Sequence, residues 1–393
     1  MPSEKYGHSN DEEFVTLSCR RQFQTGFLGF VTRIRDRRYA VIDEERQSIF
    51  AFAFLDHNGT VRTINMSNAR VFTVPPYFSV PRSLQVGEAW RIEKGKLRQI
   101  EMTLSEFPYG MRPAFDTGDK WLEGAGREAA PGETAPASAA APAKACDRNC
   151  LEGFTDTFLR ALLAHDSRLL PLAPSVRFTQ NGQRLNIRDR GDGLWGTVTA
   201  LGGYKLYLSN PLQGEAGYYG SIVENDTPGI LAVRLKIQGG LLTEVETVVV
   251  RQEVAGERGG TLTLFAPRLP HPFDPAKYVR PDAVLAAKLT PPQRTAADRM
   301  VAVAHTNGAG FRERRALVTD EEAGLVLDVS LFDVPNTTKS VDVPTLTSIS
   351  LPAASTGPFS LLMATVSKIR AGKVLKVDTA FRPVPYGMTS GWN

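Results

Sequence analysis

The chain has 393 residues, enough for two or three domains, and its 42% hydrophobic and 22% charged residues are typical of a soluble globular protein. Its net charge is only +4, and charged residues of both signs are mixed along the chain. This argues against a nucleic-acid partner, because a protein that binds nucleic acid needs a concentrated basic face. The longest apolar runs, such as residues 50–55, are far shorter than the roughly 20 residues of a membrane helix, and no apolar signal-peptide core follows Met1. We therefore expect that the protein has no membrane partner and that it is cytoplasmic by default. If the chain were truncated at its N-terminus, the location would be unknown.

The two ends of the chain are copies of each other. Residues 35–111 align without a gap with residues 312–388, an offset of 277. The sequence Pro-Tyr-Gly-Met at 108–111, for example, recurs at 385–388. A gapless match of this length predicts duplication of one folding unit. A fainter third copy lies between them, and in all three a two-residue turn with glycine second joins two strands, which predicts a hairpin.

The first unit, residues 1–122, begins without a predicted helix. Its clearest predicted strand is Ile49–His57, in which three phenylalanines alternate with the smaller residues Ala51, Ala53 and Leu55. Both faces of this strand are apolar, so we expect it to be covered on both sides. Because no helix of its own is available, we expect the outer units to pack on each other or on a second copy of the chain.

Composition divides the rest of the chain. Residues 123–146 are rich in alanine, proline and glycine, which predicts a linker. The middle unit, 147–268, begins with an amphipathic helix predicted over 147–165. A Pro-rich connection, 269–282, leads to the last unit, 283–393, in which Thr290 predicts the cap of a second helix. Nearly everything else is predicted to be strands.

Four stretches of the middle unit resemble a known group of domains: residues 177–183, 193–197, 204–207 and 234–237. They are similar to the SnoaL-like or ketosteroid-isomerase-like domains of the nuclear transport factor 2-like superfamily, and to an uncharacterised bacterial and fungal family of such domains. The outer units look like the second domain that often follows this one. The resemblance implies an α+β protein of tandem cone-like units. Each unit would have an N-terminal helix and a strongly curved antiparallel sheet, with the outer two units incomplete.

The resemblance also implies where a ligand would bind. In cone folds the ligand enters between the helix and the concave sheet face, and apolar surroundings raise the pKa of a catalytic acid on the first strand. The matching position here is Gln180-Asn181, and Gln180 cannot ionise. Trp195, Tyr204 and Arg234 are candidates to line the same pocket. The alternative is that they are core aromatics and a surface-paired arginine.

Two tyrosines compete for the predicted pocket. Tyr204 and Tyr207 are three residues apart, so on a regular strand they face opposite sides of the sheet. We expect Tyr204 to enter the pocket, because Gly202-Gly203 just before it allows a bend. Its hydroxyl would then donate a hydrogen bond to a ligand oxygen, and Tyr204→Phe would weaken binding with little loss of stability.

The first unit carries its own candidates. Asp56 and His57 are candidate catalytic residues, because histidine titrates near neutral pH and an adjacent acid could complete a proton-transfer pair. Against this interpretation, adjacent strand residues point to opposite faces, and the last unit has Val334 in place of His57. Arg37 and Arg38 precede the acidic triplet 43–45. They predict either an anion-binding clamp or a solvated ladder of ion pairs.

The sequence contains three further motifs. Gly191–Gly196 fits G-x-G-x-x-G but lacks the apolar strand before it and the helix after it, so we predict a turn that folds Trp195 over the sheet. Cys146 and Cys150 lie four apart at the start of the predicted helix. They suggest a metal or redox site, but the lack of a nearby Cys/His cluster favours the alternative of no site. Four Asn-X-Ser/Thr triplets are interpreted as turns.

Two functions remain open. The first is a lyase or isomerase of the ketosteroid-isomerase-like kind, which moves a proton on a small apolar or aromatic substrate and needs no metal or other cofactor. The alternative is a non-catalytic ligand-binding or scaffold protein, in which Gln180 and the degenerate copies record lost chemistry. The predicted partners are a small apolar molecule and a second copy of the chain.

Overall fold

The computed structural model describes residues 3–6, 15–18, 29, 31–61, 63–65, 71–73, 80–112, 146–188, 193–251, 300–301, 310–334, 340–341, 349–350 and 358–392. These residues fall into two compact units, with residues 3–112 in the first and residues 146–251 and 300–392 in the second. The predicted linker at 123–146, apart from Cys146, and the predicted connection at 269–282 lie outside the described residues. So does the second predicted helix, apart from Met300 and Val301.

The first unit is built on a four-stranded antiparallel sheet. The strands described in this unit are β1 Ser3–Tyr6, β2 Val15–Ser18, β3 Arg33–Asp43, β4 Ser48–His57, β5 Thr63–Asn65, β6 Val71–Thr73, β7 Arg82–Glu93 and β8 Lys96–Phe107. The sheet has the order β3-β4-β7-β8, while β1 pairs with β2 and β5 with β6. Alternation along β4 places Ala53 in a small core with Leu84 and Val86 on one face and buries Phe54 on the other.

The middle part of the second unit consists of a helix on one face of a six-stranded sheet. Its elements are α1 Arg148–Leu163, β9 Leu172–Gln180, β10 Gln183–Arg184, β11 Val198–Asn210, β12 Glu215–Glu224, β13 Thr227–Gln238 and β14 Leu241–Arg251, with short 3-10 turns at Ser167–Leu169 and Gly193–Gly196. The strand order is β10-β9-β14-β13-β12-β11, and β9 runs parallel to β14. Asp147 caps α1 by accepting a hydrogen bond from the Cys150 amide at 2.9 Å. The apolar stripe of α1, including Phe158 and Leu162, packs on Phe178 in the main core.

The last part of the second unit repeats the sheet of the first unit. Its strands are β15 Phe311–Asp320, β16 Leu325–Val334, β17 Ser340–Val341, β18 Ile349–Ser350, β19 Phe359–Arg370 and β20 Lys373–Pro385. The sheet order β15-β16-β19-β20 corresponds to β3-β4-β7-β8. The strand pairing agrees at an offset of 277: Arg38 faces Phe52 as Arg315 faces Val329, and Ile92 faces Leu97 as Ile369 faces Val374. The sequence repeat is therefore also a repeat of strand order and register.

All three predicted hairpin turns form. Both residues of each turn have positive φ: 52° and 69° at Lys94-Gly95, 59° and 76° at Gly239-Gly240, and 49° and 71° at Ala371-Gly372. This is the turn geometry in which glycine at the second position relieves strain.

The last sheet packs on the middle sheet. β15 lies against β11 and β12, and β20 lies against β14. A side chain at Gly217 would contact Val318 at 3.1 Å, so the absence of a Cβ there allows close approach. The six-stranded sheet therefore has α1 on one face and the last sheet on the other.

The predicted α+β architecture of tandem cone-like units is wrong. The protein is mostly β: in the described residues α1 is the only α-helix longer than two residues, and the outer units are four-stranded antiparallel sheets. The physical reason lies in what covers the apolar faces. One face of the last sheet is covered by the middle sheet, and Val326 and Ile369 on the other face pack with the helical residues Met300 and Val301. A helix is therefore not needed at the start of each unit to bury a sheet.

Candidate functional site

Asp56 lies in a buried ion-pair network at the end of β4. Arg33 Nε donates to Asp56 Oδ2 at 2.8 Å, and Arg35 donates through Nε and Nη2 at 2.8 and 2.9 Å. The Ser83 hydroxyl also donates to Asp56 at 2.6 Å, and it accepts the Gly110 amide at 2.9 Å. Burial alone would raise the pKa of Asp56, but Arg35, Arg33 and Ser83 together hold this pKa below its ordinary value. Asp56 is therefore an ionised acceptor rather than a proton donor.

The same chain of hydrogen bonds recurs in the last sheet. Arg312 Nε donates to Asp333 at 2.7 Å, Ser360 Oγ donates to Asp333 at 2.5 Å, and the Gly387 amide donates to Ser360 at 3.1 Å. These residues are Arg35, Asp56, Ser83 and Gly110 shifted by 277. We refer to the Asp56-Ser83-Gly110 and Asp333-Ser360-Gly387 chains as the Asp-Ser-Gly clasps. Each clasp ties the end of the second strand of its sheet to the Pro-Tyr-Gly-Met turn after the fourth strand.

His57 is buried at the last position of β4 and faces Arg82 in the strand register. Its counterpart in the last sheet is Val334, which is also buried. The clasp next to it forms in both sheets, so clasp geometry does not depend on a histidine at this position.

Arg37 lies in the irregular stretch of β3 between Arg35 and Arg38. The guanidinium of Arg38 stacks over the Phe52 ring at 5.0 Å. In the acidic triplet, Asp43 accepts from the Arg46 amide and side chain, both at 2.9 Å. The pair of Asp43 with the exposed Arg46 is consistent with the interpretation of this stretch as surface ion pairs rather than as an anion-binding clamp.

Gln180 and Asn181 are both buried at the end of β9. Gln180 Oε1 accepts the Leu194 amide at 2.9 Å, and Asn181 Oδ1 accepts the Val249 amide at 2.8 Å. A Cβ at Gly193 would overlap the Gln180 amide group, so the glycine allows this close approach. The two amides thus attach the 3-10 turn and β14 to the end of β9.

Trp195 lies within that 3-10 turn and is 1% exposed. Its ring meets the edge of Phe158 from α1 at 5.7 Å, and its carbonyl oxygen is 2.7 Å from His165 Nδ1. The part of the predicted turn that the structure describes, Gly193–Gly196, does fold Trp195 over the sheet. It places the indole in the main core under α1.

Tyr204 and Tyr207 face opposite sides of the middle sheet, as the sequence predicts. The Tyr207 hydroxyl, however, is the one on the helix side, where it donates to Asp156 at 2.8 Å. Tyr204 is on the far side and donates to Asp378 of β20 at 2.8 Å. Leu201 and Tyr207 both pack on the core under α1, so ordinary strand alternation places Tyr204, which meets the Tyr219 ring, on the opposite face.

Both hydroxyls remain protonated donors. Burial, and then the hydrogen bond to Asp378, raise the pKa of Tyr204 far above its ordinary value. Burial, followed by the hydrogen bond to Asp156, raises the pKa of Tyr207 to about 12. Tyr204 therefore bridges the middle and last sheets.

Arg234 is also on the side of the last sheet. It pairs with Glu215 at 2.8 Å and with Glu244 at 2.7 Å across neighbouring strands. Among the middle-unit candidates, the structure brings Gln180 and Trp195 together on the helix side, while Asn181 bonds to β14. Tyr204 and Arg234 lie on the opposite face, while Asp56, His57 and Arg37 belong to the other compact unit.

A cluster around Trp392 was not predicted from the sequence. Trp392 Nε1 donates to Thr179 at 2.8 Å, and the guanidinium of Arg177 stacks on the indole at 4.0 Å. Arg234 and Arg315 lie 5.7 and 5.9 Å from the same ring. Trp392 lies beyond the 312–388 match, so the repeat gave no signal for it. The signal that was present is the charged residues within β9, β13 and β14, such as Arg177, Arg234 and Glu246, which are unusual in a sheet covered on both faces.

Glu246 joins the Trp392 cluster through Arg315, which donates to it at 2.6 Å. Burial raises the pKa of Glu246, and the charge of Arg315 offsets this only in part. Arg148 makes a second charged link at the other end of the interface. It donates to Asp320 of the last sheet at 2.5 Å and to Glu322 at 2.8 Å. The face between the two sheets is thus held by ion pairs and cation–π contacts as well as by apolar packing.

Tyr204→Phe should destabilise the second unit by about 1.5–3 kcal/mol, because the hydroxyl binds a buried carboxylate. Tyr207→Phe, which removes a more exposed hydrogen bond, should lower stability by a smaller amount, about 0.5–1.5 kcal/mol. Urea unfolding of both variants measures the difference. An equal or larger loss in Tyr207→Phe would contradict the bridging role of Tyr204.

Cys146 and Cys150 form a disulfide at the start of α1. The pair is therefore neither two unrelated thiols nor a metal site, and it closes the first turn of the helix. Elsewhere in the described residues, no cluster of three or more metal-binding side chains is found. Nor does any described helix have the length and apolar character needed to cross a membrane.

Comparison with known protein families gives a match over the first part of the chain. Residues 3–104 match the model of a family described as a domain of unknown function, DUF8021. This stretch is 102 of the 393 residues and contains most of the first copy of the repeat. The chain is therefore similar to this family over its first unit. No curated protein and no solved structure matches the chain.

Proposed function

We propose that this chain is a non-catalytic scaffold protein. The observation that carries the proposal is the Asp-Ser-Gly clasp, which recurs with the same atoms in two sheets that differ at the neighbouring histidine. A proton-transfer pair of Asp56 with His57 would need that histidine, whereas fastening a turn to a strand would not. Asp56 is then a structural residue whose carboxylate is fully used by Arg33, Arg35 and Ser83.

The middle-unit candidates support the same proposal. Gln180 and Asn181 accept backbone amides, which fixes their side chains. Their carboxamide groups do not ionise at neutral pH, so neither can act as an acid or a base. Arg234 is held between two carboxylates, and Trp195 fills the core. We further propose that the resemblance to SnoaL-like domains is confined to the middle part. The helix on one face of its six-stranded sheet supports this.

A second candidate function, binding of a small molecule in the middle part, is favoured by Tyr218. Its side chain is fully buried in the core under α1, and its hydroxyl has no hydrogen-bond partner among the described protein residues. Burial raises the pKa of Tyr218, so the hydroxyl stays a neutral donor. A mostly apolar molecule with one oxygen acceptor has the chemistry to match it.

Tyr218→Phe tests the observation that supports the ligand candidate. If the hydroxyl is unsatisfied in the free protein, its removal should leave the free energy of unfolding unchanged or raise it by about 1 kcal/mol. Thermal melting compares it with Tyr207→Phe, the adjacent ring at 5.7 Å, which should lose stability. A clear loss in Tyr218→Phe would mean that the hydroxyl already has a partner, and would remove the support for a ligand.

The scaffold proposal is tested by proton exchange. The full chain is incubated in D2O with a steroid ketone and an aromatic ketone, and deuterium uptake is followed by NMR. We expect uptake at the buffer rate, with no change in His57→Gln. Uptake above the buffer rate that disappears in a folded His57→Gln variant would overturn the proposal and restore the enzyme hypothesis.

We also propose that the chain folds in an oxidising compartment, because disulfides such as Cys146–Cys150 persist mainly there. Denatured without reductant, the protein should show one reactive thiol per chain out of its three cysteines. After reduction it should show three. Three thiols without reductant, in protein purified from its source under thiol-trapping conditions, would contradict this and favour the cytoplasm.

A further inference from the structure

One face of the last sheet makes the contact with the middle sheet, and three residues of β15 define it. Arg315 pairs with Glu246, and Val318 packs at Gly217. Asp320 accepts the Ser209 amide at 2.9 Å and pairs with Arg148. Their pairing partners on β16 include Leu327, which faces Val318.

The same register positions in the first sheet are held by Arg38, Val41 and Asp43. Arg38 faces Phe52, Val41 faces Phe50, and Asp43 faces Ser48. Because alternate residues of β4 share a face and paired residues share it too, Arg38, Val41 and Asp43 lie on one face. The irregularity between Tyr39 and Val41 explains how residues three apart come to share it.

The two copies differ in burial at these positions. In the last sheet Val318 is 1% and Leu327 0% exposed. In the first sheet Val41 is 58% and Phe50 38% exposed. The first sheet thus leaves in solvent the residues that its copy uses for docking. We call the surface of Arg38, Val41, Asp43 and Phe50 the β3 face.

The charged residues of the β3 face keep the chemistry of docking. Asp43 accepts the amide three residues ahead at 2.9 Å, as Asp320 does at 2.8 Å, so both carboxylates have the same local geometry. Asp43 also pairs with Arg46, whose side chain is 75% exposed, and such exposed pairs exchange partners at little cost. An arginine from another chain can therefore take the place that Arg148 takes on Asp320.

The order of these residues is self-complementary. The β3 face has a basic residue at one end, two apolar residues in the middle and an acidic residue at the other end. A two-fold axis through Val41 and Phe50 places Arg38 of one chain opposite Asp43 of the second. We propose that the β3 face binds the β3 face of a second copy of this chain in a symmetric dimer. This deepens the proposed scaffold function, since the dimer joins two chains through a duplicated sheet.

Sedimentation equilibrium of the full chain over a range of concentrations tests the proposal. We expect wild type to form dimers, and Val41→Glu to raise the dimer dissociation constant at least tenfold. Ile42→Glu is the matched control, because Ile42 is 61% exposed and points to the opposite face of the same strand. It should dimerise like wild type.

A charge swap tests the pairing itself. Arg38→Asp and Asp43→Arg should each weaken dimerisation, because each places like charges opposite one another. The double variant should recover at least part of the lost affinity. A monomeric wild type, or variants of the β3 face that fold normally and still dimerise like wild type, would overturn the proposal. Sedimentation measures molecular mass, so a negative result there would overturn the dimer alone. Detection of proton exchange would instead overturn the proposed scaffold function.

Discussion

Replacing Asp56 with asparagine should destabilise the first sheet by about 3–5 kcal/mol, the range for removing one partner of a buried ion-pair network. Asp56 is 0% exposed, and its loss of charge leaves the 15% exposed side chain of Arg35 with Asp36 as its remaining carboxylate and takes a carboxylate from Arg33 as well. Asparagine also cannot accept hydrogen bonds at both terminal atoms, so either an arginine or Ser83 loses its acceptor. Urea unfolding followed by circular dichroism measures the loss.

Asp43→Asn is the matched control in the same sheet, because Asp43 pairs with Arg46 at the surface and should contribute little. The pH dependence gives a second check. The pKa of Asp56 is lowered when folded, so its contribution to stability is complete above its ordinary value of 3.8 and is lost as the pH falls through the lower folded pKa. Asp56→Asn should therefore flatten the acid limb of the stability curve. An unchanged acid limb, or equal effects in both variants, would contradict the clasp.

Glu224→Gln should destabilise the second unit by a similar amount, about 3–5 kcal/mol, because it strands a buried arginine. Arg251 donates to Glu224 at 2.5 and 3.0 Å, and their side chains are only 4% and 0% exposed. The Thr197 hydroxyl donates to the same carboxylate at 2.7 Å, which ties the 3-10 turn to β12. Chemical denaturation of the full chain measures the loss of stability.

Glu244→Gln serves as its control. Glu244 is 35% exposed and shares Arg234 with Glu215, so the arginine keeps one carboxylate when Glu244 is neutralised. The loss should be clearly smaller than in Glu224→Gln. Comparable losses would mean that burial and exclusive pairing are not what make the Arg251–Glu224 pair important.

The repeat and its hairpins could be predicted because their signals are local. Lys94-Gly95 and Ala371-Gly372 adopt positive φ because of the turn itself, so glycine at the second position is a reliable sign. The predicted fold class was wrong because it depends on tertiary packing. Whether a helix or a second sheet covers an apolar sheet face depends on a partner distant in sequence, as for Val318 on Gly217.

The site predictions depended on which face of the sheet α1 covers. The sequence placed Tyr204 and Tyr207 on opposite faces, but the choice of the face under α1, which is that of Tyr207, is a tertiary property. Trp392 and Arg177 meet although they are 215 positions apart, and no local pattern joins them. The Asp-Ser-Gly clasp, in contrast, was visible as identical residues at the offset of 277, but only the structure shows that they form one chain of hydrogen bonds.

Amide hydrogen exchange at the two Pro-Tyr-Gly-Met turns tests the central claim that the clasp residues are structural. The Gly110 and Gly387 amides donate to Ser83 and Ser360, and each serine is held by its own aspartate. We predict that Asp56→Asn speeds exchange in the peptide containing residues 108–111 and not in 385–388, and that Asp333→Asn does the reverse. Exchange that is unchanged at both turns in both folded variants would contradict the account.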